Sequence, residues 1–245
     1  MNAYDEFAKR SDWKPGQKLQ LWLNYRYLIT LQKVINLSEV NNILEIGVGR
    51  GNFASAIIKN THISYEGVEP SEALQRVVKS SFENLQIYDC SLPHVFQNIN
   101  KKFDLVILIH TIEHAQNGYE ARLWLEDAAN CVAENGYLVI ISPEILSFKE
   151  YFWDIDWSHC FPTSKQNLVQ LGKDIGLIDY FAGHMNLGGI SKVRKFFAKI
   201  IDLMFPTKLI DSIFMPIFNR KIGSGFKVAQ IWDVCFIVFK MNTNE

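Results

Sequence analysis

The sequence predicts an α/β fold in which a doubly wound, mostly parallel sheet of seven strands carries helices on both faces. Short apolar runs of strand length alternate with segments of helical periodicity, which is the pattern of βαβ units. Residues 103–109 (FDLVILI) are apolar almost throughout, as expected of a strand that a parallel sheet buries on both faces. A glycine-rich turn, residues 47–51, follows the first apolar run and precedes a helical segment.

A helical cap, residues 1–37, is predicted before the core. Residues 1–15 are polar with interspersed aromatic side chains, and residues 18–35 repeat apolar residues at helical spacing. We therefore expect two helical segments in this cap. The aromatic residues of the first segment would help to close a pocket.

The core is predicted over residues 38–187. Its strands are expected at residues 41–46, 62–69, 85–89, 103–109, 136–142 and 178–186. Its helices are expected at residues 52–59, 72–81, 120–133 and 168–177, the second of them capped by Ser71 and the third ended by residues 134–136. A last strand is expected at residues 231–241. This order of elements predicts one domain spanning residues 1–245.

Composition favours a cytoplasmic protein. Of the 245 residues 48% are hydrophobic, and the net charge is −1. The charged N-terminus lacks the apolar stretch of a signal peptide, and no uncharged apolar run has the length of a membrane-spanning helix. The cysteines (Cys90, Cys131, Cys160 and Cys235) lack the spacing of a disulfide framework or a metal site, so we expect structural thiols in a reducing compartment.

A basic amphipathic insertion, residues 188–230, is predicted before the last strand. Residues 188–231 contain about eight Lys and Arg against two Asp and Glu, and apolar residues recur at helical spacing. Such a segment can act as a lid over the sheet, as a homodimer contact or as a peripheral membrane contact. We expect no nucleic-acid binding, because the basic residues alternate with bulky aliphatic residues rather than with stacking aromatic ones.

Candidate binding residues follow the predicted strands at their carboxyl ends. These are residues 47–51, Glu69, Asp89, His110 and Ser142. In open α/β sheets ligands bind outside the carboxyl ends of the strands. We therefore expect these residues to meet along one edge of the sheet. A dinucleotide fingerprint would require glycine at Asn52, which argues against that class of ligand.

Residues 44–51 (LEIGVGRG) resemble the E-x-G-x-G-x-G motif of class I S-adenosylmethionine-dependent methyltransferases, and the likeness continues through residues 67–71 (GVEPS), 89–91 (DCS) and 103–114. The resemblance implies a Rossmann-like methyltransferase fold with S-adenosylmethionine as cofactor and S-adenosylhomocysteine as product. Glu45 would accept a hydrogen bond from the cofactor's ammonium group, and Glu69 would bind both ribose hydroxyls.

The adenine and methionine ends of the cofactor would meet other residues. By the same resemblance, Asp89 would accept from the adenine amine, Cys90 would offer its backbone N–H, and His110 would line the methionine end. The implied cofactor-binding residues are Glu45, Gly47, Val48, Gly49, Gly51, Glu69, Pro70, Asp89, Cys90 and His110.

Residues 110–114 (HTIEH) match the H-x-x-E-H motif of inverted zinc proteases. Their place after a buried strand argues against a protease. Related methyltransferases that carry two carboxylates before the histidine can hold a divalent cation, but His110 stands at the first of those positions here. We therefore predict no metal.

Two histidines are candidates for the general base. His114 ends the HTIEH segment, and His159 lies in residues 154–164, which resemble a D-x-x-H-x-x-x-x-T/S segment whose histidine faces the acceptor. An imidazole can take a hydroxyl proton as the oxygen attacks the methyl group. Glu113 is included as a third catalytic candidate, and Trp153 and Trp157 are expected to help close the pocket.

The acceptor is less defined than the cofactor. Resemblance to methyltransferases of surface-polysaccharide pathways favours O-methylation of a small or glycan-type acceptor. The apolar insertion leaves open a quinone or lipid-linked acceptor at a membrane surface. A non-catalytic protein that binds S-adenosylmethionine and acts through the insertion is the third alternative.

Overall fold

The computed structural model describes residues 14–186 and 232–241 and four isolated helical positions, Phe197, Ile200, Met204 and Ser212. The strands are β1 (Asn42–Ile46), β2 (Ser64–Val68), β3 (Gln86–Tyr88), β4 (Phe103–Ile109), β5 (Val132–Pro143), β6 (Ile178–Asn186) and β7 (Asp233–Lys240). They form a seven-stranded sheet in the order β3-β2-β1-β4-β5-β7-β6. Among these strands β7 alone runs in the opposite direction to the other six. The predicted fold class is confirmed.

Helices cover both faces of this sheet. They are α1 (Lys14–Val34), α2 (Asn52–Asn60), α3 (Glu72–Ser81), α4 (Val95–Ile99), α5 (Gly118–Asn130), α6 (Ile145–Phe148), α7 (Tyr151–Asp154) and α8 (Lys165–Asp174), with short 3-10 helices at Leu37–Glu39 and Ile112–His114. Ser71 caps α3 as predicted, because its hydroxyl accepts the Leu74 N–H at 3.4 Å. Ser164 and Asn167 form a capping box at the start of α8.

The packing of the central strand β4 explains why its sequence is apolar almost throughout. Leu105 and Ile107 pack in a buried cluster with residues of α1 and α2. Val106 and Leu108 point to the opposite face and pack with residues of α5 and α8. Alternating side chains of one strand therefore fill two separate cores, which explains why residues 105–109 are all apolar.

Helix α5 ends earlier than its sequence predicts. We expected a helix to residue 133, ended by residues 134–136, but α5 stops at Asn130 and those three residues lie within β5. Val132 is buried and pairs with Phe103 before the register shifts to the pair Leu105 and Tyr137. Pairing with β4 thus prevails over the helical propensity of residues 131–133.

Three short helices were not predicted: α4, α6 and α7. Helix α4 depends on a residue distant in sequence, since the Asp127 carboxylate of α5 accepts the N–H groups of Val95 and Phe96 at 2.6 Å and 3.2 Å. A carboxylate at a helix N-terminus satisfies backbone donors that otherwise lack partners. Sequence periodicity over a single turn cannot reveal such a helix.

Helix α1 provides the second segment of the predicted cap, whereas residues 1–13 lie outside the described residues. The insertion, residues 188–230, also lies outside them except at its four helical positions. Phe197, Ile200 and Met204 are spaced by three and four residues and are 58%, 38% and 67% exposed. This spacing agrees with the predicted apolar stripe, and the role of the insertion stays a prediction.

The insertion departs from the sheet edge that carries the carboxyl ends of the parallel strands. Asn186 at the end of β6 pairs with Asp233 at the start of β7, beside Pro143 at the end of β5. Among the described residues, no helix has the length and apolar character needed to cross a membrane.

Candidate active site

The glycine turn between β1 and α2 depends on left-handed backbone. Gly47, Gly49 and Gly51 have φ values of +86°, +58° and +73°, which residues other than glycine rarely adopt. The Val68 carbonyl at the end of β2 accepts the N–H groups of Gly47 and Val48 at 2.9 Å and 3.0 Å. The turn therefore folds back over the carboxyl end of β2.

Gly47 and Gly49 differ in what surrounds them. A Cβ at Gly47 would lie 2.6 Å from Thr111 Oγ1, whereas a Cβ at Gly49 would meet no atom within 4 Å. The Thr111 hydroxyl donates to the Ile46 carbonyl at 3.0 Å and so sits directly against the turn. Gly47 is thus required for packing, and Gly49 leaves its backbone open to a ligand.

Glu69 lies directly after β2 and holds the turn from the other side. Its Oε2 accepts the Gly49 N–H at 2.8 Å, and its Oε1 accepts the Ser71 N–H at 2.8 Å. The side chain is almost fully buried, and this burial raises the pKa of the Glu69 carboxyl above its ordinary value. Each oxygen retains a lone pair for a further donor.

Glu45 is buried in β1 beside the turn. The Tyr65 hydroxyl donates to Glu45 Oε2. Burial raises the pKa of the Glu45 carboxyl to about 8, and the nearby charge of Glu69 acts in the same direction, against the hydrogen bond from Tyr65. A carboxyl buried in this way is well suited to a cationic ligand, which would stabilise its charged form.

The predicted adenine end lies after β3. The Glu69 N–H donates to the Tyr88 carbonyl at 3.1 Å, which fixes the end of β3 beside the end of β2. Asp89 and Pro70 are exposed next to this junction, and Cys90 is partly buried. Burial raises the pKa of the Cys90 thiol, as expected of a structural cysteine.

His110 directly follows β4 and lies in the left-handed region, with φ +52°. Its Nε2 lies 2.8 Å from the Tyr27 hydroxyl of α1, and its Nδ1 lies 3.3 Å from Glu113 Oε1. His110 therefore links the N-terminal helix to the carboxyl end of β4. The sequence analysis did not identify Tyr27 as part of this edge.

Glu113 is fully buried behind His110. The Ser142 hydroxyl donates to Glu113 Oε2 at 3.0 Å and lies 2.7 Å from Thr163 Oγ1. Burial alone would raise the pKa of the Glu113 carboxyl, but the hydrogen bond from His110 and the neighbouring imidazoles of His110, His114 and His159 lower it below its usual value. This carboxyl is therefore held in its charged form.

His114 and His159 lie side by side, with ring centroids 5.1 Å apart. His159 Nδ1 is 2.6 Å from the Phe152 carbonyl oxygen, and His114 Nδ1 is 2.9 Å from Ser158 Oγ. Burial lowers the pKa of His159, which favours its neutral form. One ligand atom from each histidine and one oxygen of Glu113 all lie within 4.8 Å of one another.

The two histidines of the HTIEH segment have separate roles. In the part of the chain that the structure describes, His114 lies in a group with Glu113 and His159 whose side chains could hold a metal ion. His110 bonds to Tyr27 instead. Residues 112–114 form a 3-10 turn, not the longer helix that an inverted zinc protease needs. The geometry therefore agrees with the expectation that this segment is not a protease site.

The structure thus brings the candidates into two neighbouring groups. The glycine turn, Glu45 and Glu69 form one, and Glu113, His114 and His159 form the other. Sequence reasoning missed the supporting residues Tyr27, Tyr65, Thr111, Phe152, Ser158 and Thr163. Thr111 could have been found from its place after β4, but the others meet the site only through the tertiary fold.

Comparison with known families gives one match over most of the core. The family model described as a methyltransferase domain matches residues 19–180, which is more than half of the chain. No match is found among curated protein sequences.

Solved structures resemble the chain in fold. A methyltransferase of Haloferax volcanii, solved in complex with a methyltransferase activator, is 12% identical with a TM-score of 0.66, and the match covers 99% of each chain. Phosphoethanolamine N-methyltransferase 2 of Haemonchus contortus, solved with S-adenosylmethionine, is 16% identical with a TM-score of 0.60 over 99% of this chain and 61% of that one. A methyltransferase of Archaeoglobus fulgidus is 17% identical with a TM-score of 0.57 over 88% and 94%.

Proposed function

The chain belongs to the class I S-adenosylmethionine-dependent methyltransferases, and from this premise we propose that it methylates an oxygen of a small or glycan-type acceptor. S-adenosylmethionine is its cofactor. The single observation that carries the choice of an oxygen nucleophile is the pair of imidazoles, His114 and His159, next to the buried carboxylate of Glu113.

On the cofactor side, the open backbone at Gly49 is where we place the methionine portion of the cofactor. Glu45 would accept from its ammonium group, and Glu69 would bind the ribose hydroxyls through the free lone pairs of its carboxylate. Asp89 and the Cys90 N–H would bind adenine. Pro70, Val48 and His110 would line the same site. The contacts that support this assignment are the two hydrogen bonds by which Glu69 fixes the turn.

On the acceptor side, an acceptor hydroxyl would attack the methyl carbon while the carbon–sulfur bond breaks. The products are the methyl ether and S-adenosylhomocysteine, and the hydroxyl proton must leave. His159 or His114 would take it at Nε2, with Glu113 stabilising the imidazolium through its charge. Positioning and exclusion of water by the closed site would supply much of the rate.

A glycan-type acceptor is supported by aromatic side chains close to His159. Trp153 and Trp157 are 48% and 78% exposed and lie in the chain between Phe152, whose carbonyl oxygen is 2.6 Å from His159 Nδ1, and His159 itself. Exposed indole faces can pack against the C–H faces of a sugar ring while their N–H groups remain available for hydrogen bonds.

A second candidate acceptor is a quinone or another lipid-linked molecule. It is supported by the exposed helical positions Phe197, Ile200 and Met204 in the basic insertion, which begins and ends at the edge of the sheet that carries the site. A basic helix with an apolar stripe can lie in a membrane interface. The protein would then contact a membrane without crossing it.

The test is a screen of hydroxyl, quinol and amine acceptors that measures release of S-adenosylhomocysteine. We expect turnover with a hydroxyl-bearing acceptor, and a loss of at least about 100-fold in His159→Gln, since general-base catalysis contributes about 10²–10⁴-fold. His94→Gln, on an exposed histidine, is the matched control.

Other outcomes of the screen exclude parts of the proposal. Turnover of amines alone would refute O-methylation. Turnover that requires lipid vesicles would favour the lipid-linked acceptor over the glycan. Binding of S-adenosylmethionine without turnover of any acceptor would leave the non-catalytic alternative.

A further inference from the structure

A serine hydroxyl joins two segments of the site that lie far apart in sequence. The Ser158 hydroxyl donates to Asp156 Oδ1 at 2.6 Å, and Ser158 Oγ also lies 2.9 Å from His114 Nδ1. His114 belongs to the 3-10 turn after β4, whereas Asp156 and Ser158 lie in the loop after α7. One hydroxyl therefore links a carboxylate of the loop to an imidazole of the turn.

The local sequence of the loop builds half of this link. The Ser158 N–H donates to Asp156 Oδ1 at 2.9 Å, which is an Asx turn, and the Ser158 hydroxyl bonds to the same oxygen. Burial alone would raise the pKa of the Asp156 carboxyl. The two hydrogen bonds from Ser158 and the nearby imidazoles of His159 and His114 lower this pKa below its ordinary value. The Asp156 carboxyl is therefore held in its charged form.

The positions of the hydrogen atoms follow from these contacts. A hydroxyl carries one hydrogen, and Ser158 gives it to the Asp156 carboxylate, which can only accept. Ser158 Oγ must then accept from His114, so His114 Nδ1 carries a proton. The Ser158 carbonyl oxygen, 3.4 Å from the same nitrogen, can also only accept. In its neutral form His114 therefore keeps a lone pair at Nε2.

His159 is oriented by a different kind of group. Its Nδ1 lies 2.6 Å from the Phe152 carbonyl oxygen, which is uncharged. Asp156 and His159 stand in one D-x-x-H pattern of the sequence, yet the hydrogen bonds of the Asp156 side chain lead through Ser158 to His114. The acidic residue of one motif thus supports the histidine of the other.

We propose that Asp156 and Ser158 are positioning residues for the two imidazoles of the acceptor site. The inference rests on the proposed function, because it concerns the proton that an acceptor hydroxyl loses. Ser158 fixes His114 as the Nδ1–H tautomer and leaves its Nε2 available. The Asp156 carboxylate stabilises the positive charge that His114 or His159 acquires with the proton.

Asp156 acts by its charge and does not itself take the proton. As the acceptor oxygen bonds to the methyl carbon, its hydrogen passes to Nε2 of an imidazole, and Asp156 stays ionised, as an aspartate that orients a catalytic histidine does. Glu113 adds a second carboxylate beside both rings, from the turn after β4. Carboxylates from two separate segments therefore offset the cost of charging a buried imidazole.

The first measurement is the tautomer of His114, which requires no turnover. NMR spectra that correlate the ring nitrogens of the full-length protein with their hydrogens are recorded at a pH where the ring is neutral, and His114→Gln assigns the signal. We expect the proton at Nδ1 in the parent protein and in Ser158→Thr, which retains the hydroxyl. In Ser158→Ala the bond that fixes the tautomer is lost, so the Nε2–H tautomer should appear. A proton at Nε2 in the parent, or unchanged tautomers in Ser158→Ala, would overturn the proposal.

The second measurement is turnover of a hydroxyl acceptor. We expect kcat to fall at least about tenfold in Ser158→Ala and Asp156→Asn with the KM for S-adenosylmethionine unchanged, since general-base catalysis contributes about 10²–10⁴-fold in total. Ser158→Thr should retain the parent rate. In Asp156→Asn the acid limb of the kcat/KM profile should move to lower pH, because a lost negative charge no longer favours the imidazolium. Asp154→Asn, on an exposed aspartate of the same segment, is the matched control.

Calorimetric binding of S-adenosylmethionine shows whether each variant is folded. If Ser158→Ala fails that check, Asp156→Asn, which keeps the shape of the side chain, replaces it. Parental kcat in both variants would overturn this inference and keep the proposed function. If no hydroxyl acceptor is turned over, the proposed function is refuted, and the NMR spectra alone decide whether Ser158 fixes His114.

Discussion

Glu69 accepts the backbone N–H of Gly49 at 2.8 Å, so the carboxylate after β2 is tied directly to the turn after β1. The same carboxylate accepts the Ser71 N–H at 2.8 Å at the start of α3. Glu69 thus organises the turn before any ligand arrives. Recognition of the ribose, as proposed above, and preorganisation of the turn would then depend on one side chain.

Replacement of this side chain should weaken cofactor binding strongly. We expect Glu69→Ala to weaken S-adenosylmethionine binding by at least about 100-fold, because hydrogen bonds to a charged group contribute about 1.5–3 kcal/mol each and the turn also loses its support. Isothermal titration calorimetry measures the change. Glu72→Ala, an exposed residue of α3, is the matched control, and equal affinities in the two variants would contradict the assignment.

Gly47 and Gly49 should respond differently to alanine. Gly47→Ala combines the left-handed backbone strain of about 1–2 kcal/mol with a clash at Thr111 Oγ1, 2.6 Å from the new Cβ. Gly49→Ala has the strain alone and should reduce cofactor affinity more than stability. We expect a larger fall in Tm for Gly47→Ala, and partial recovery when Thr111→Ala is added. A Gly47→Ala protein no less stable than Gly49→Ala would contradict this packing.

Glu45 should make stability depend on pH. Its folded pKa of about 8 lies above its ordinary value of 4.5, so the folded protein binds more protons than the unfolded chain between these values. The contribution of Glu45 to the free energy of unfolding should therefore fall as pH rises from about 4.5 to about 8. Urea unfolding of Glu45→Gln should lack this slope, with Glu72→Gln as control.

Cofactor binding should release protons near neutral pH. The ammonium group of S-adenosylmethionine beside Glu45 would lower the raised pKa of this carboxyl, so the bound complex would hold fewer protons than the free protein. Affinity should therefore increase as pH rises toward about 8. Calorimetry in buffers of different ionisation enthalpy counts the released protons, and Glu45→Gln should remove the release. An equal release in that variant would place the ammonium group elsewhere.

Much of the sheet edge at the carboxyl ends of the parallel strands could be predicted from the sequence, because the residues that determine it are local. The apolar run of β4, the glycines after β1 and the acidic residue after β2 lie where their sequence positions predicted. Parallel strands place such residues at one edge whatever the details of packing.

Features that depend on tertiary contacts could not be predicted from the sequence. Helix α4 exists because Asp127 caps it from another helix, and α5 ends early because Val132 pairs with β4. The hydrogen bond of His110 to Tyr27 and the left-handed backbone of His110 are two facts that no spacing in the sequence encodes.

The pairing of Asn186 with Asp233 has a consequence for evolution. The chain leaves the sheet for its insertion and returns to it at adjacent positions on a hydrogen-bonded pair of strands. A segment anchored in this way can change in length and composition without altering the strand order or the nucleotide-binding edge. Homologues can therefore diversify at this one insertion point while the remainder of the enzyme stays unchanged.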